Sequence, residues 1–221
     1  MNSRFSTVLF DLDGTLADTA PDLAQALNTL LHEQGRAALP LEIIRPIASH
    51  GSPGLLKLGF GVTAQDADYL MLRERFLALY SAALCRETRL FPGMPEVLVE
   101  LGRRGMKWGI VTNKPAFLTE PLIHALNPLP TPACIVSGDS TANRKPHPEP
   151  MLHACRQVGT NAEECVYVGD AERDIQAGRQ AGMRTIIALF GYISEDEEPQ
   201  HWGADGMIRR PQELLDWLDA H

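Results

Sequence analysis

Lysine is scarce in this chain, with four in 221 residues, and acidic residues outnumber basic ones 28 to 20 for a formal net charge of -8. That balance leaves no broad cationic face for nucleic acid or another polyanion, so an anionic ligand has to be met by a small, local positive site. Cysteine is as sparse. Cys85, Cys134, Cys155 and Cys165 include no C-x-x-C pair and read as reduced, mostly buried thiols of a cytosolic protein. No apolar run approaches membrane-spanning length, and no cationic segment followed by an apolar one opens the chain, so neither a membrane partner nor a secretory signal is expected. Internal repeats and low-complexity tracts are missing too. What remains is an ordinary globular composition, 44% apolar and 22% charged, long enough for one α/β domain with an insertion or for two small domains.

The chain is organised around Val8-Leu9-Phe10-Asp11-Leu12-Asp13-Gly14-Thr15. Such an apolar run marks a buried strand of a parallel sheet, and Gly14 supplies the turn after it. Asp11 and Asp13 then stand at the carboxyl end of a central strand, where open α/β sheets bind ligands. Two carboxylates this close disfavour joint ionisation unless a cation lies between them. Mg2+, a hard ion that takes oxygen ligands, meets that need, and one carboxylate can then act as nucleophile and the other as proton carrier. Taken alone, the octet equally describes a strand with an Asp-Gly turn.

Residues 5–10 form the first expected strand. From Asp18 the periodicity is helical: Pro21 lies near a helix start, Leu23, Ala26, Leu27, Leu30 and Leu31 recur at helical spacing, and Gly35 ends the run. The pattern predicts further helices over 41–48, 54–59 and roughly 63–85, with a loop at 49–54. Residues 17–88 are thus expected as an all-helical cap domain, entered through hinges near 16–18 and 88–91, and the α/β core as 1–16 plus 89–221. The core resumes with a helix over 95–104 and strands at 108–112, 134–137, 165–169 and 184–190. Helices alternate with these strands, and a last helix covers 211–218. The alternation predicts a five-stranded parallel sheet flanked by helices on both faces.

Three later strand ends carry chemistry. The second strand ends in Thr112, whose hydroxyl can bond a phosphoryl oxygen, although a threonine there is by itself commonplace. Lys145 lies in a loop braced by Pro146 and Pro148. Held so, it can neutralise phosphate charge, while most lysines simply stay in solvent. Of the four lysines, Lys114 and Lys145 follow strand ends. The fourth strand runs into Gly169-Asp170-Ala171-Glu172-Arg173-Asp174, which sets Asp170 and Asp174 four apart on one face of a helix start. There they either complement the helix dipole or reach a metal.

In that order, D-x-D-G-T, a strand ending in Thr, a later Lys-Pro and G-D-x-x-x-D resemble the four motifs of the haloacid dehalogenase-like (HAD) phosphohydrolases. The resemblance covers the whole chain, a Rossmann-like core with a helical cap inserted directly after the first motif. It implies a Mg2+-dependent phosphatase working through an aspartyl-phosphate. Asp11 would be the nucleophile, Asp13 the general acid and then base, and Thr112 and Lys145 would hold the phosphoryl group with help from Asn113. The resemblance further implies that Asp170 binds Mg2+ with the Asp11 carboxylate and the Asp13 backbone carbonyl, and that Asp174 supports the metal shell. The physics is compatible: Mg2+ and Lys145 offset the repulsion between a carboxylate nucleophile and a phosphate dianion, and a hinged cap excludes water on closing.

Dehalogenases of this superfamily lack the second aspartate, so Asp13 points to phosphoryl transfer. A phosphosugar mutase of the same fold and a non-catalytic binding protein stand as alternatives. Phosphonate-cleaving relatives use a cap lysine, and Lys57, on an apolar helical stretch, reads instead as a surface anchor. The chain is most similar to the phosphoglycolate phosphatase-like group. Thr112-Asn113-Lys114-Pro115, Gly191-Tyr192-Ile193 and His201-Trp202-Gly203-Ala204-Asp205 also resemble a proteobacterial subgroup that acts on N-acetylmuramic acid 6-phosphate in cell-wall recycling. Gly191-Tyr192-Ile193 departs from the Gly-Tyr-Asn usual among phosphoglycolate phosphatases. Substrate choice is expected in cap residues 45–54, with Arg45 meeting a substrate carboxylate and Ser49 and His50 bonding hydroxyls, while His147 reads as a loop brace. The whole describes a cytoplasmic enzyme, monomer or homodimer, whose partner is a small phosphorylated metabolite.

Overall fold

The structure is a computed structural model and describes residues 4–221. Along the chain the elements are β1 (Thr7–Phe10), β2 (Ala17–Asp18), α1 (Ala20–Glu33), α2 (Leu41–Ile44), α3 (Gly51–Phe60), α4 (Tyr69–Ala82), β3 (Arg89–Leu90), α5 (Met94–Arg103), β4 (Lys107–Val111), α6 (Ala116–Leu126), β5 (Ile135–Val136), α7 (Glu149–Val158), β6 (Cys165–Gly169), α8 (Glu172–Ala181), β7 (Arg184–Ala188), β8 (Gly206–Ile208) and α9 (Glu213–Ala220). Six strands form one sheet in the order β5-β4-β1-β6-β7-β8, every pairing parallel. From β1 the chain winds outward through β4 and β5, then returns to wind outward on the other side from β6. The carboxyl ends of β1, β4 and β6 therefore lie at the switch point, where such sheets open a crevice.

β1 is buried on both faces, which is why it reads as a continuous apolar run. Val8 and Phe10 pack into one apolar cluster and Leu9 into a second, the latter with Val111, Met151 and Tyr167. The first cluster continues through Leu12, Leu16, Phe91 and Tyr192 into the four helices between β2 and β3. Within that insertion α1 packs on α3 and α4, burying Leu23, Leu27, Leu30 and Leu31, the leucines whose spacing predicted the helix. Where the chain enters and leaves the insertion, β2 and β3 pair antiparallel, Ala17 with Leu90 and Asp18 with Arg89. Asp22 ties the same junction: its carboxylate accepts the Glu87 N–H (2.9 Å), the Thr88 N–H (3.0 Å) and the Thr88 hydroxyl (2.6 Å).

Three local expectations are revised. The sheet has a sixth strand, β8, too short to show a pattern by itself and made by its pairing with Ile186–Ala188. The stretch 49–54 is helical, since a tight 3-10 turn over Arg45–His50 leads straight into α3. Pro46 and Pro53 each fall in a first helical turn, where a missing N–H costs nothing. The fourth helix of the insertion starts later than its apolar residues suggest, at Tyr69, because Asp66 takes the Thr63 N–H and hydroxyl into a turn at 2.7 and 2.9 Å. All four cysteines are free thiols. Among the described residues no helix is long and apolar enough to cross a membrane.

Candidate active site

Lys145 is the point on which the strand ends converge. Its side chain is 1% exposed, and Nζ lies 2.9 Å from Asp11 Oδ1 and 2.7 Å from Asp174 Oδ1. Nζ also donates to the Val111 carbonyl (3.0 Å) and to the Tyr167 hydroxyl (2.8 Å). Val111 ends β4, Tyr167 lies in β6, and Asp11 follows β1, so three adjacent strands hold one ammonium. Asn113 sets the lysine loop in place: its amide Nδ2 donates to the Lys145 carbonyl and its Oδ1 accepts the Lys145 N–H, both at 3.0 Å. Asn113, expected to assist with phosphate, thus has both ends of its amide on the Lys145 backbone.

The carboxylates Asp11, Asp170 and Asp174 are all buried, and each offers an oxygen within 4.8 Å of the others. Asp11 Oδ1 also accepts the Leu12 N–H at 2.8 Å. Asp170 takes the Thr15 hydroxyl on Oδ1 (3.2 Å) and the Tyr192 N–H on Oδ2 (2.9 Å). Burial, and then the charges of Asp11 and Asp174, push the Asp170 carboxyl up to about 7. Burial also raises Asp174, against the pull of Lys145. Close approach here depends on glycine: a Cβ on Gly14, at φ +84°, would lie 2.1 Å from Asp170 Oδ2, and one on Gly169 would lie 2.4 Å from the Asp174 Cβ.

An all-oxygen donor set with more negative charge than Lys145 can offset suits a hard divalent cation such as Mg2+. Asp174 spends Oδ1 on Lys145 and Oδ2 on the Ala171 N–H at 3.1 Å, which leaves it supporting the cluster. The Asp13 carboxylate points elsewhere: Oδ1 accepts the Thr19 hydroxyl at 2.7 Å and pairs with Lys114 Nζ at 2.8 Å. Its backbone carbonyl does face the cluster, because the Ser49 hydroxyl touches both Asp170 Oδ2 (2.6 Å) and Asp13 O (3.4 Å).

Over these groups lies a cavity of about 360 Å³, walled on the core side by Asp11, Asp13, Thr112 and Lys114 and on the other by residues of the helical insertion. Thr112 is anchored there by its Oγ1, which accepts the Lys114 N–H at 3.2 Å. Ser49 and His50, expected to bond substrate hydroxyls, line the cavity. Arg173 reaches up from α8 to donate to the Ser49 carbonyl at 2.6 Å. Burial, and then the charge of Arg173, lower the His50 imidazole below its usual range.

Arg45, expected to meet a substrate carboxylate, is absent from this lining. It pairs with Asp18 at 2.7 Å and lies over the Tyr192 ring, and Tyr192 in turn donates to the same Asp18 oxygen at 2.7 Å. Arg45 therefore braces the β2–β3 junction.

Sequence reading missed a group on the facing wall. Lys114 sits over the face of Tyr80, 4.5 Å from the ring centroid. Burial would lower its ammonium, but Asp13 and Tyr80 hold it above the usual lysine range. Burial pushes the Tyr80 hydroxyl up to about 12. Arg73 and Tyr80, both in α4, also line the cavity. The available signal was Arg73 and Tyr80 seven apart in α4, on the same helical stripe as Phe76 and Leu77.

Comparison with known proteins sets this geometry in context. A family profile described as haloacid dehalogenase-like hydrolase matches residues 8–188. A phosphoglycolate phosphatase of Xanthomonas campestris is 42% identical over 207 residues, covering 94% of this chain and 93% of the relative. An N-acetylmuramic acid 6-phosphate phosphatase of Pseudomonas aeruginosa is 36% identical over 216 residues, covering 98% and 96%. Among solved structures, a predicted phosphoglycolate phosphatase from Haemophilus somnus superimposes with a TM-score of 0.86 at 24% identity, over 98% of this chain and 99% of its own, a likeness of fold.

Proposed function

The chain belongs to the haloacid dehalogenase-like hydrolases and is a phosphoric monoester hydrolase, and on that premise we propose that it cleaves a sugar-acid phosphomonoester, N-acetylmuramic acid 6-phosphate, through an aspartyl-phosphate on Asp11. The observation that carries the chemistry is that Asp11, which lines the cavity together with Asp13, meets the buried Lys145 ammonium and lies beside the Asp170 carboxylate. In the first step an Asp11 carboxylate oxygen bonds to phosphorus while the ester P–O bond breaks, and Asp13 gives its proton to the departing alkoxide. In the second, Asp13 takes a proton from water, the water oxygen bonds to phosphorus, and the Asp11–phosphorus bond breaks to release phosphate. Lys145 and Thr112 hold the phosphoryl oxygens, and the Lys145 ammonium offsets charge as it builds there. Asp11, Asp170 and the Asp13 carbonyl would hold Mg2+, with Asp174 supporting them. Bound there, the ion would neutralise the phosphate dianion against the carboxylate nucleophile.

Two features support the sugar-acid ester over phosphoglycolate. A cavity of about 360 Å³ is in the range of sites for larger ligands, and a two-carbon ester would leave most of it to water. Both kinds of phosphatase match over nearly all of their length, and the second feature is Gly191-Tyr192-Ile193, which departs from the Gly-Tyr-Asn usual among phosphoglycolate phosphatases. The helices between β2 and β3 form the cap in this reading. They rock on that paired junction and seal the cavity when Ser49 meets Asp170 and Arg173. The test is phosphate release with Mg2+ from N-acetylmuramic acid 6-phosphate, 2-phosphoglycolate and hexose 6-phosphates. Turnover should vanish in a chelator and in Asp11→Asn, and the N-acetylmuramic ester should lead in kcat/KM. Faster turnover of 2-phosphoglycolate would overturn the substrate, and full activity of Asp11→Asn would overturn the intermediate.

A further inference from the structure

α4 turns one face to the cavity: Arg73, Phe76, Leu77 and Tyr80 all line it, at the i, i+3, i+4, i+7 spacing of a single helical stripe. Two of these residues are polar: Arg73 has no partner among the described residues, and the Tyr80 hydroxyl meets the Lys114 ammonium without hydrogen-bond geometry. The Tyr80 hydroxyl is buried without a hydrogen-bond partner, in a residue 1% exposed. Arg73 is half-buried and, among the described residues, forms no ion pair or hydrogen bond. The other cations on the cavity wall are engaged: Lys114 with Asp13, Arg173 with the Ser49 carbonyl and Arg144 with the Gly138 carbonyl. An arginine without an anion and a buried hydroxyl without a partner, on one face over a phosphate-type floor, are together the lining of a polar subsite. A buried polar group left unpaired is costly.

We infer that this stripe of α4 is the subsite for a second anionic group of the substrate, a carboxylate bound by the Arg73 guanidinium, with a substrate oxygen nearer the phosphate bound by the Tyr80 hydroxyl. Arginine suits the task, because its planar fork matches a carboxylate with two parallel bonds. The spacing sets the kind of substrate. Tyr80 lies beside Lys114 and Asp13, at the reacting end, while Arg73 is seven residues back along α4, roughly 10 Å along the helix axis. An anion read there is separated from phosphorus by the body of the molecule. A carboxylate one carbon from the phosphate ester oxygen, as in phosphoglycolate, stays near the floor. A carboxylate carried on a sugar ring, across from its phosphate, reaches the arginine.

The inference rests on the phosphatase reading, and the test separates the two. Initial rates with Mg2+ are measured on N-acetylmuramic acid 6-phosphate and N-acetylglucosamine 6-phosphate, which differ by the lactyl ether and its carboxylate. A second pair, 2-phosphoglycolate and ethyl phosphate, carries or lacks a short-range carboxylate. The parent protein should favour the acid of the first pair by about 10- to 100-fold in kcat/KM, the span of one charge-assisted contact. In Arg73→Gln that ratio should collapse through KM, in Arg73→Lys it should be partly restored, and the ratio for the second pair should not follow the substitution. A first-pair ratio that survives Arg73→Gln overturns the subsite and leaves the phosphatase standing. An Arg73 effect confined to the second pair overturns the distance argument. No phosphate release by the parent from any of the four, or from an aryl phosphate, overturns the phosphatase reading and the subsite with it.

Discussion

Replacing Lys145 with methionine keeps most of the side chain's length and volume and deletes only its charge. In the folded protein that charge is 1% exposed, touches Asp11 and Asp174, and stands beside Asp170, whose carboxyl is already pushed up to about 7 by burial and by its two neighbours. Removing one partner of a buried ion pair costs about 3–5 kcal/mol. For a chain of this length each kcal/mol moves the midpoint by about 2–4 °C, so Lys145→Met should melt roughly 6–20 °C below the parent in EDTA. The carboxylates limit the loss by taking up protons, which places the variant nearer the small end at acidic pH. Mg2+ supplies the missing positive charge. At a free concentration 100 times its Kd it adds about 2.7 kcal/mol to a protein that binds it only when folded, and the gain should be larger in the variant than in the parent. Thermal unfolding by circular dichroism in EDTA and in Mg2+ measures all four midpoints. A variant within about 2 °C of the parent in EDTA would refute the idea that Lys145 neutralises the buried cluster.

Other perturbations separate the site from its surroundings. Arg45→Ala should cost less than about 1 kcal/mol, the usual worth of a partly exposed ion pair, and should change KM for acid-bearing esters no more than for an aryl phosphate; a selective KM rise would return Arg45 to the substrate. His50 is held below 6.5 by burial and then by Arg173, with Glu197 opposing. The unfolded chain therefore takes up this proton first as pH falls, and the folded state loses stability below about 6.5. His50→Gln should flatten that loss, read by urea unfolding at pH 7.5 and 5.5, and an equal loss in parent and variant would remove His50 as its source.

What could be read ahead of the structure was local. Val8–Phe10 announced a strand buried on both faces because no polar residue interrupts it, and the leucines of α1 fixed a helix because one face repeats. The aspartates after β1 and β6 stood out because a carboxylate directly after an apolar strand has few purposes. What stayed hidden depends on which distant surface comes opposite. Arg45 looked like a substrate ligand until Asp18 and Tyr192 came to meet it. Lys114 gained its place only when the chain folded Asp13 and Tyr80 around it. Asn113 looked like a phosphate ligand, yet its amide turned to a backbone 32 residues away. β8 exists only through its neighbour.

The pairing of Ala17–Asp18 with Arg89–Leu90 also bears on how the chain reaches this shape. β1 and β4 are adjacent in the sheet but far apart in sequence, Thr7 opposite Lys107, a separation that slows folding because a long loop must close before any contact rewards it. The residues between them are helices that pack locally on one another, and local structure of this kind forms early. Once α1 lies against α4 and the two short strands zip, residues 18 and 89 are neighbours, and the search for the β1–β4 register runs over a short effective loop. Loosening that ribbon, as at Asp22, would therefore slow refolding of the sheet itself, far from any bond that was changed.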